Sequence, residues 1–143
     1  MRTRWGMFVA TLALLAGCGG GDSDALSVDD YRSQLDAECA RVNEELAVLT
    51  EEKSDDLSEE ELQEQALEIG DGFEERVRAM TPPDELGDAH DALVEAFDDP
   101  IPDGRDLDAW RAYVEDSLRL YEDLGAEGCQ EEQQKALDSL PDD

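Results

Sequence analysis

The chain predicts an all-α fold, a small antiparallel four-helix bundle, and three observations carry that expectation. Apolar residues recur at steps of three and four in four separate segments, the spacing that lines up one face of a helix. No stretch of useful length alternates apolar and polar residues as a half-buried strand would. The connections between the segments are short, which favours neighbouring helices running up and down.

In the first segment Val28, Tyr31, Leu35, Cys39, Val42, Leu46 and Leu49 share a face, and Ser27 followed by Asp30 resembles a capping box. A helix over about 28–52 follows. Ser58 with Glu61 supplies a second capping box, and Leu62, Ala66, Ile69, Phe73, Val77 and Met80 form a stripe that should end near Thr81. Pro82 and Pro83 break the chain and suit the start of a third, short helix with the stripe Leu86, His90, Leu93 and Phe97. The segment from Asp98 to Arg105 is rich in turn formers, and Leu107, Trp110, Val114, Leu118 and Tyr121 then open a fourth face reaching about Leu124. From Gln130 to Asp143 the chain is polar and reads as an acidic C-terminal tail, either frayed or a loosely docked final helix, so that the bundle itself is expected over 27–129.

Charge sets the partners. The 143 residues hold 40 Asp and Glu against 11 Lys and Arg, a formal charge of −29. Such a chain repels a phosphate backbone instead of releasing its counterions, which excludes nucleic acid, and it has no polybasic stretch to hold an anionic lipid surface. High charge alone would suit disorder, but 40% apolar residues with helical periodicity argue for one compact domain.

The N-terminus has the plan of an export signal: Arg2 and Arg4, an apolar run from Trp5 to Leu15 too short to span a bilayer, then small residues. It ends in Leu15-Ala16-Gly17-Cys18, which resembles the lipobox of bacterial lipoproteins. The resemblance implies cleavage of a 1–17 signal peptide and a diacylglyceryl group on the Cys18 thiol, a strong nucleophile once deprotonated. The expected location is the extracytoplasmic face of the cell membrane, lipid-anchored, with residues 18–26 as a flexible tether. Losing Arg2 and Arg4 leaves the anchored chain more negative than −29. Two acyl chains, at about 0.8 kcal/mol per methylene, hold it by about 10 kcal/mol or more, which outweighs the repulsion.

With Cys18 given to lipid, Cys39 and Cys129 remain, and a pair of cysteines in an exported domain predicts a structural disulfide. A redox-active pair would call for Cys-x-x-Cys spacing and a basic neighbour, and neither is present. Together, the lipobox, Tyr31 and Cys39 on the first helix, Pro82-Pro83 with Leu86, His90 and Leu93, and the late Cys129 resemble small helical cell-envelope lipoproteins of high-GC Gram-positive bacteria. That resemblance implies a location and no activity.

Residue patterns that signal chemistry are few. His90 is the single histidine and sits on an apolar stripe, where a buried, hydrogen-bonded imidazole is the plain reading. No Gly-x-Ser-x-Gly or comparable nucleophile context accompanies it, so no catalytic residue is assigned and no enzyme is expected. An EF-hand register with Gly104 at loop position six puts Ile101 at three and Trp110 at twelve, where carboxylates belong, so no metal site or cofactor is assigned. The densest acidic run, Glu51 to Glu64, reads as a solvated face, or as a docking surface for a cationic envelope protein. The expected function is therefore a lipid-anchored, non-enzymatic interaction or cell-envelope module. The alternative is a ligand- or divalent-cation-binding lipoprotein with a pocket between helices, lined by Phe97, Trp110 and Tyr113 with His90 as its polar group.

Overall fold

Residues 26–52, 56–102 and 106–140 are described by a computed structural model. The signal, the lipobox residues Leu15, Ala16, Gly17 and Cys18, and nearly all of the tether lie outside the described residues, as do 103–105 in the would-be calcium loop. The chain is all-α: five α-helices and one 3-10 turn, with no strand among the described residues. The helices are α1 (Val28–Glu52), α2 (Glu59–Arg78), α3 (Gly87–Ala96), α4 (Leu107–Leu124) and α5 (Glu127–Asp138).

The capping box anticipated at Ser58 has both its bonds, and the one at Ser27 shows the serine half. Asp30 N–H donates to Ser27 Oγ at 3.1 Å and starts α1. At α2, Glu61 N–H donates to Ser58 Oγ and Ser58 N–H donates to the Glu61 carboxylate at 2.9 Å, so two of the orphan amides at a helix start are satisfied. These bonds hold the Glu61 carboxyl below its usual range. α2 stops at Arg78, three residues short of the expected Thr81. Thr81 precedes Pro82, whose ring disfavours helical geometry in the residue before it, and Thr81 instead uses its carbonyl to accept from Leu26 N–H at 3.2 Å. Leu26, placed in the flexible tether by sequence, is thus half-buried and tied down. Pro83 precedes the 3-10 turn Asp84–Leu86, which leads directly into α3.

The expectation of four helices and a tail needs correction at one corner. α4 ends where predicted, at Leu124, but the end from Gln130 is neither frayed nor loosely docked: it belongs to a helix that starts earlier, at Glu127. Gly125 takes a left-handed conformation (φ 68°) and closes α4, Ala126 is fully buried, and residues 127–138 form α5. α1 builds this corner with three side chains one turn apart on one face. Arg32 Nε donates to the Leu124 carbonyl at 2.9 Å, placing a cation at the negative end of α4. Asp36 Oδ1 accepts from the Gly128 and Cys129 amides at 2.9 and 3.2 Å, and so caps α5, whose own N-cap residue Ala126 has no side chain to do so. Cys39 is bonded to Cys129, with 5.4 Å between their Cα atoms. The predicted disulfide thus joins α1 to the start of α5.

Each helix packs against the next in sequence, and α5 returns to α1, so the five close a ring. Its interior holds Tyr31, Leu35, Cys39, Phe73, Val77, Leu93, Tyr121, Leu124 and Cys129. Burying each of the larger side chains stabilises the fold by about 1.5–3 kcal/mol before ordering costs. The partly buried Arg76–Glu38 ion pair ties α2 to α1 from the side. Among the described residues no helix is long and apolar enough to cross a membrane.

Candidate functional site

The four residues assigned to a pocket from sequence divide between two places. His90 belongs to the packed core, 5% exposed, with Nδ1 at 2.8 Å from the hydroxyl of the fully buried Tyr31 and the two rings edge-to-face at 5.8 Å. A buried phenol must place its hydrogen, and donation to Nδ1 of a neutral imidazole does so. Burial holds the His90 imidazole below its usual value against a smaller opposing pull from Asp91, and pushes the Tyr31 phenol up to about 12.

This pair gives a pH dependence whose sign follows from linkage. The unfolded imidazole titrates near about 6.5, above the folded value, so the unfolded chain takes up the extra proton first as pH falls. Stability is full above about pH 6.5 and then declines by at most about 1.4 kcal/mol per unit until the folded value is reached. Urea midpoints should fall between about pH 7.5 and about pH 5.5, and fall less in His90→Gln, which keeps an acceptor for Tyr31 and does not titrate. Equal declines in the two proteins would count against His90 as the source.

Phe97 and Tyr113 line a different space, a partly open cavity of about 210 Å³ between the helices. α1 contributes Cys39, Val42, Asn43 and Leu46, and α2 contributes Gly70, Phe73 and Glu74. Leu93, Ala96 and Phe97 come from α3 and its end; Tyr113, Ser117, Leu120 and Tyr121 from α4; Cys129, Glu132 and Gln133 from α5. Ile101, half exposed, lies on the connection between α3 and α4 and also borders this space. Trp110, the fourth expected pocket residue, stands one turn before Tyr113 and stacks on its ring at 5.6 Å but is not among the residues lining the cavity. Phe73 and Phe97 meet edge-to-face at 5.9 Å.

The cavity therefore joins aromatic walls to a few polar groups. Ser117 Oγ donates to the Tyr113 carbonyl of its own helix, and Asn43 Nδ2 donates to the Cys39 carbonyl, so both are partly satisfied locally. Glu74 is not so well served. Burial raises its carboxyl above the usual range, Asp71 and Asp98 add to the shift, and Arg78 opposes it. Arg78 stands 4.0 Å from Glu74 but 2.8 Å from Asp98, with its guanidinium 5.6 Å from the centre of the Phe97 ring. Burial, and then the charges of Glu74 and Asp99, push the Tyr113 phenol up, which puts Glu74 and Tyr113 within electrostatic reach of one another.

Sequence reading missed Glu74. It is one of forty acids, and its single distinguishing signal is its place beside Phe73 at the edge of the apolar stripe of α2. The groups facing the cavity are carboxylates, amides and hydroxyls, with no imidazole among them. Among the described residues no group of three or more His, Cys, Asp or Glu is placed to hold a metal ion. Comparison with protein-family models, with curated proteins and with solved structures finds no match for the chain.

Proposed function

We propose that the chain is a lipid-anchored, extracytoplasmic helical domain without catalytic activity, serving as an interaction or cell-envelope module. The observation that carries this reading is the buried disulfide between α1 and α5, which suits a chain that folds in an oxidising compartment and agrees with the export signal read from residues 1–17. The anchor is the diacylglyceryl group on Cys18 that the lipobox implies. Cationic envelope proteins are the natural partners of its acidic faces. Expression of the full chain in a bacterial host, followed by fractionation and intact-mass measurement, tests the anchor. The chain should partition with membranes at a mass lowered by loss of residues 1–17 and raised by acylation, and Cys18→Ser should show neither change. A wild-type chain without the acyl mass would overturn the reading.

The cavity supports a second reading, in which the domain binds a small ligand between its helices. A space of about 210 Å³ with aromatic walls and a half-buried carboxylate differs from a filled core, and ligand sites combine apolar lining with a few placed polar groups in this way.

A further inference from the structure

We infer that the cavity between the helices takes a small organic ammonium ion, with Glu74 as the anion that receives its charge. This rests on the second, ligand-binding reading and is independent of the lipid anchor. Three observations select the ligand class.

Size comes first. About 210 Å³ is room for roughly seven waters, below the range of drug-sized pockets, so the occupant is a compact molecule with few heavy atoms.

Charge comes second. The cavity is bordered by Glu74 and by Glu132, which Lys135 partners at 2.8 Å; Arg78 is drawn toward Asp98, and the whole chain carries −29. A field of that sign raises the local concentration of cations and excludes anions. Glu74 is half-buried and, among the described residues, its ion pair with Arg78 is a long one at 4.0 Å, so some of its desolvation remains uncompensated. An ammonium entering the cavity supplies the missing counter-charge, and binding is then favourable for the site as well as for the ligand.

The walls come third. Phe73, Phe97, Tyr113 and Tyr121 surround the space, and aromatic lining attracts a desolvated ammonium while burying its apolar portion. The same walls without Glu74 would suit a neutral apolar molecule equally well, so the carboxylate is the element that makes the site select charge.

Calorimetric titration of the full, disulfide-bonded chain with cyclohexylammonium, cyclohexanol and cyclohexanecarboxylate tests this, since the three share a ring and differ in charge. Cyclohexylammonium should bind at least tenfold more tightly than cyclohexanol, and the carboxylate should not bind. Glu74→Gln should abolish the preference for the ammonium while leaving cyclohexanol binding in place. Glu75→Gln, which removes an equal charge from the exposed neighbouring position, should change neither. Should Glu74→Gln fail to fold, Ser117→Met serves in its place: it fills the cavity from α4, gives up a hydroxyl bonded to its own helix, and should abolish both ligands. Equal affinities for ammonium and alcohol would overturn the ammonium assignment and leave the ligand-binding reading standing. Binding of neither, or ammonium binding that Glu74→Gln and Ser117→Met leave unchanged, would overturn both.

Discussion

Replacing Cys39 and Cys129 together with alanine should cost the domain about 2–5 kcal/mol and lower its melting midpoint by about 10–20 °C. The bond spans 90 positions, so it removes much of the freedom of the unfolded chain, and the chain-entropy model puts such a loop near 4–5 kcal/mol. Alanine is the right replacement because the sites are 4% and 0% exposed, and a serine hydroxyl there would add the cost of an unsatisfied polar group. α5 keeps its other attachments to α1, the Asp36 cap and the neighbouring Arg32 bond to Leu124, so the folded geometry should persist while the unfolded ensemble expands. Denaturant titration reads both effects: the midpoint should fall and the slope should rise as more surface is exposed on unfolding. Adding reductant to the wild-type chain should reproduce the alanine result. A double-alanine midpoint equal to that of the oxidised wild type would show that the bond does not carry this share of stability.

What sequence reading recovers here depends on whether a feature is local or distant. The stripes of α1 to α4 and the Ser27 and Ser58 caps are local, set by periodicity and by bonds across three residues, and they stand close to where they were expected. The disulfide was legible for a different reason: with Cys18 set aside for the expected lipidation, the two remaining cysteines have one pairing. α5 was not legible. Its residues 127–138 are polar, its N-cap is Ala126, and the group that caps it is Asp36, about ninety residues earlier and indistinguishable from the other acids by pattern. The pocket was half legible. Aromatic residues flagged Phe97 and Tyr113, but stripe position cannot separate His90, whose neighbour is Tyr31, from side chains that line a space. Glu74 was hidden by abundance, because a carboxylate made unusual by burial has no sequence signature in a chain with forty acids.

Gly125→Val should destabilise the fold by about 3 kcal/mol, the second of the two large effects. Gly125 is the described residue with a left-handed φ, where a residue bearing a Cβ costs roughly 1–2 kcal/mol and a β-branched one more. Space compounds the strain: a Cβ there would come within 2.7–2.8 Å of the Arg32 guanidinium, which must move and give up its bond to the Leu124 carbonyl. A hydrogen bond to a charged group contributes about 1.5–3 kcal/mol, some of which is recovered from water. Gly70 provides the contrast. It lies inside α2 with nothing within 4 Å of a Cβ, so Gly70→Ala should stabilise by up to about 1 kcal/mol through helix propensity alone. Gly125→Asn should fall between, since asparagine tolerates the left-handed conformation but still meets Arg32. Paired melts of the three variants thus separate backbone strain from crowding. Because Gly125 sets the angle at which α5 returns to α1, the same Val substitution should also displace Glu132 and Gln133 from the cavity wall. Cyclohexylammonium binding should weaken in Gly125→Val. If Gly125→Val melted with the wild type and bound the ammonium equally well, the α4–α5 corner would be neither the hinge of the fold nor a support of the site.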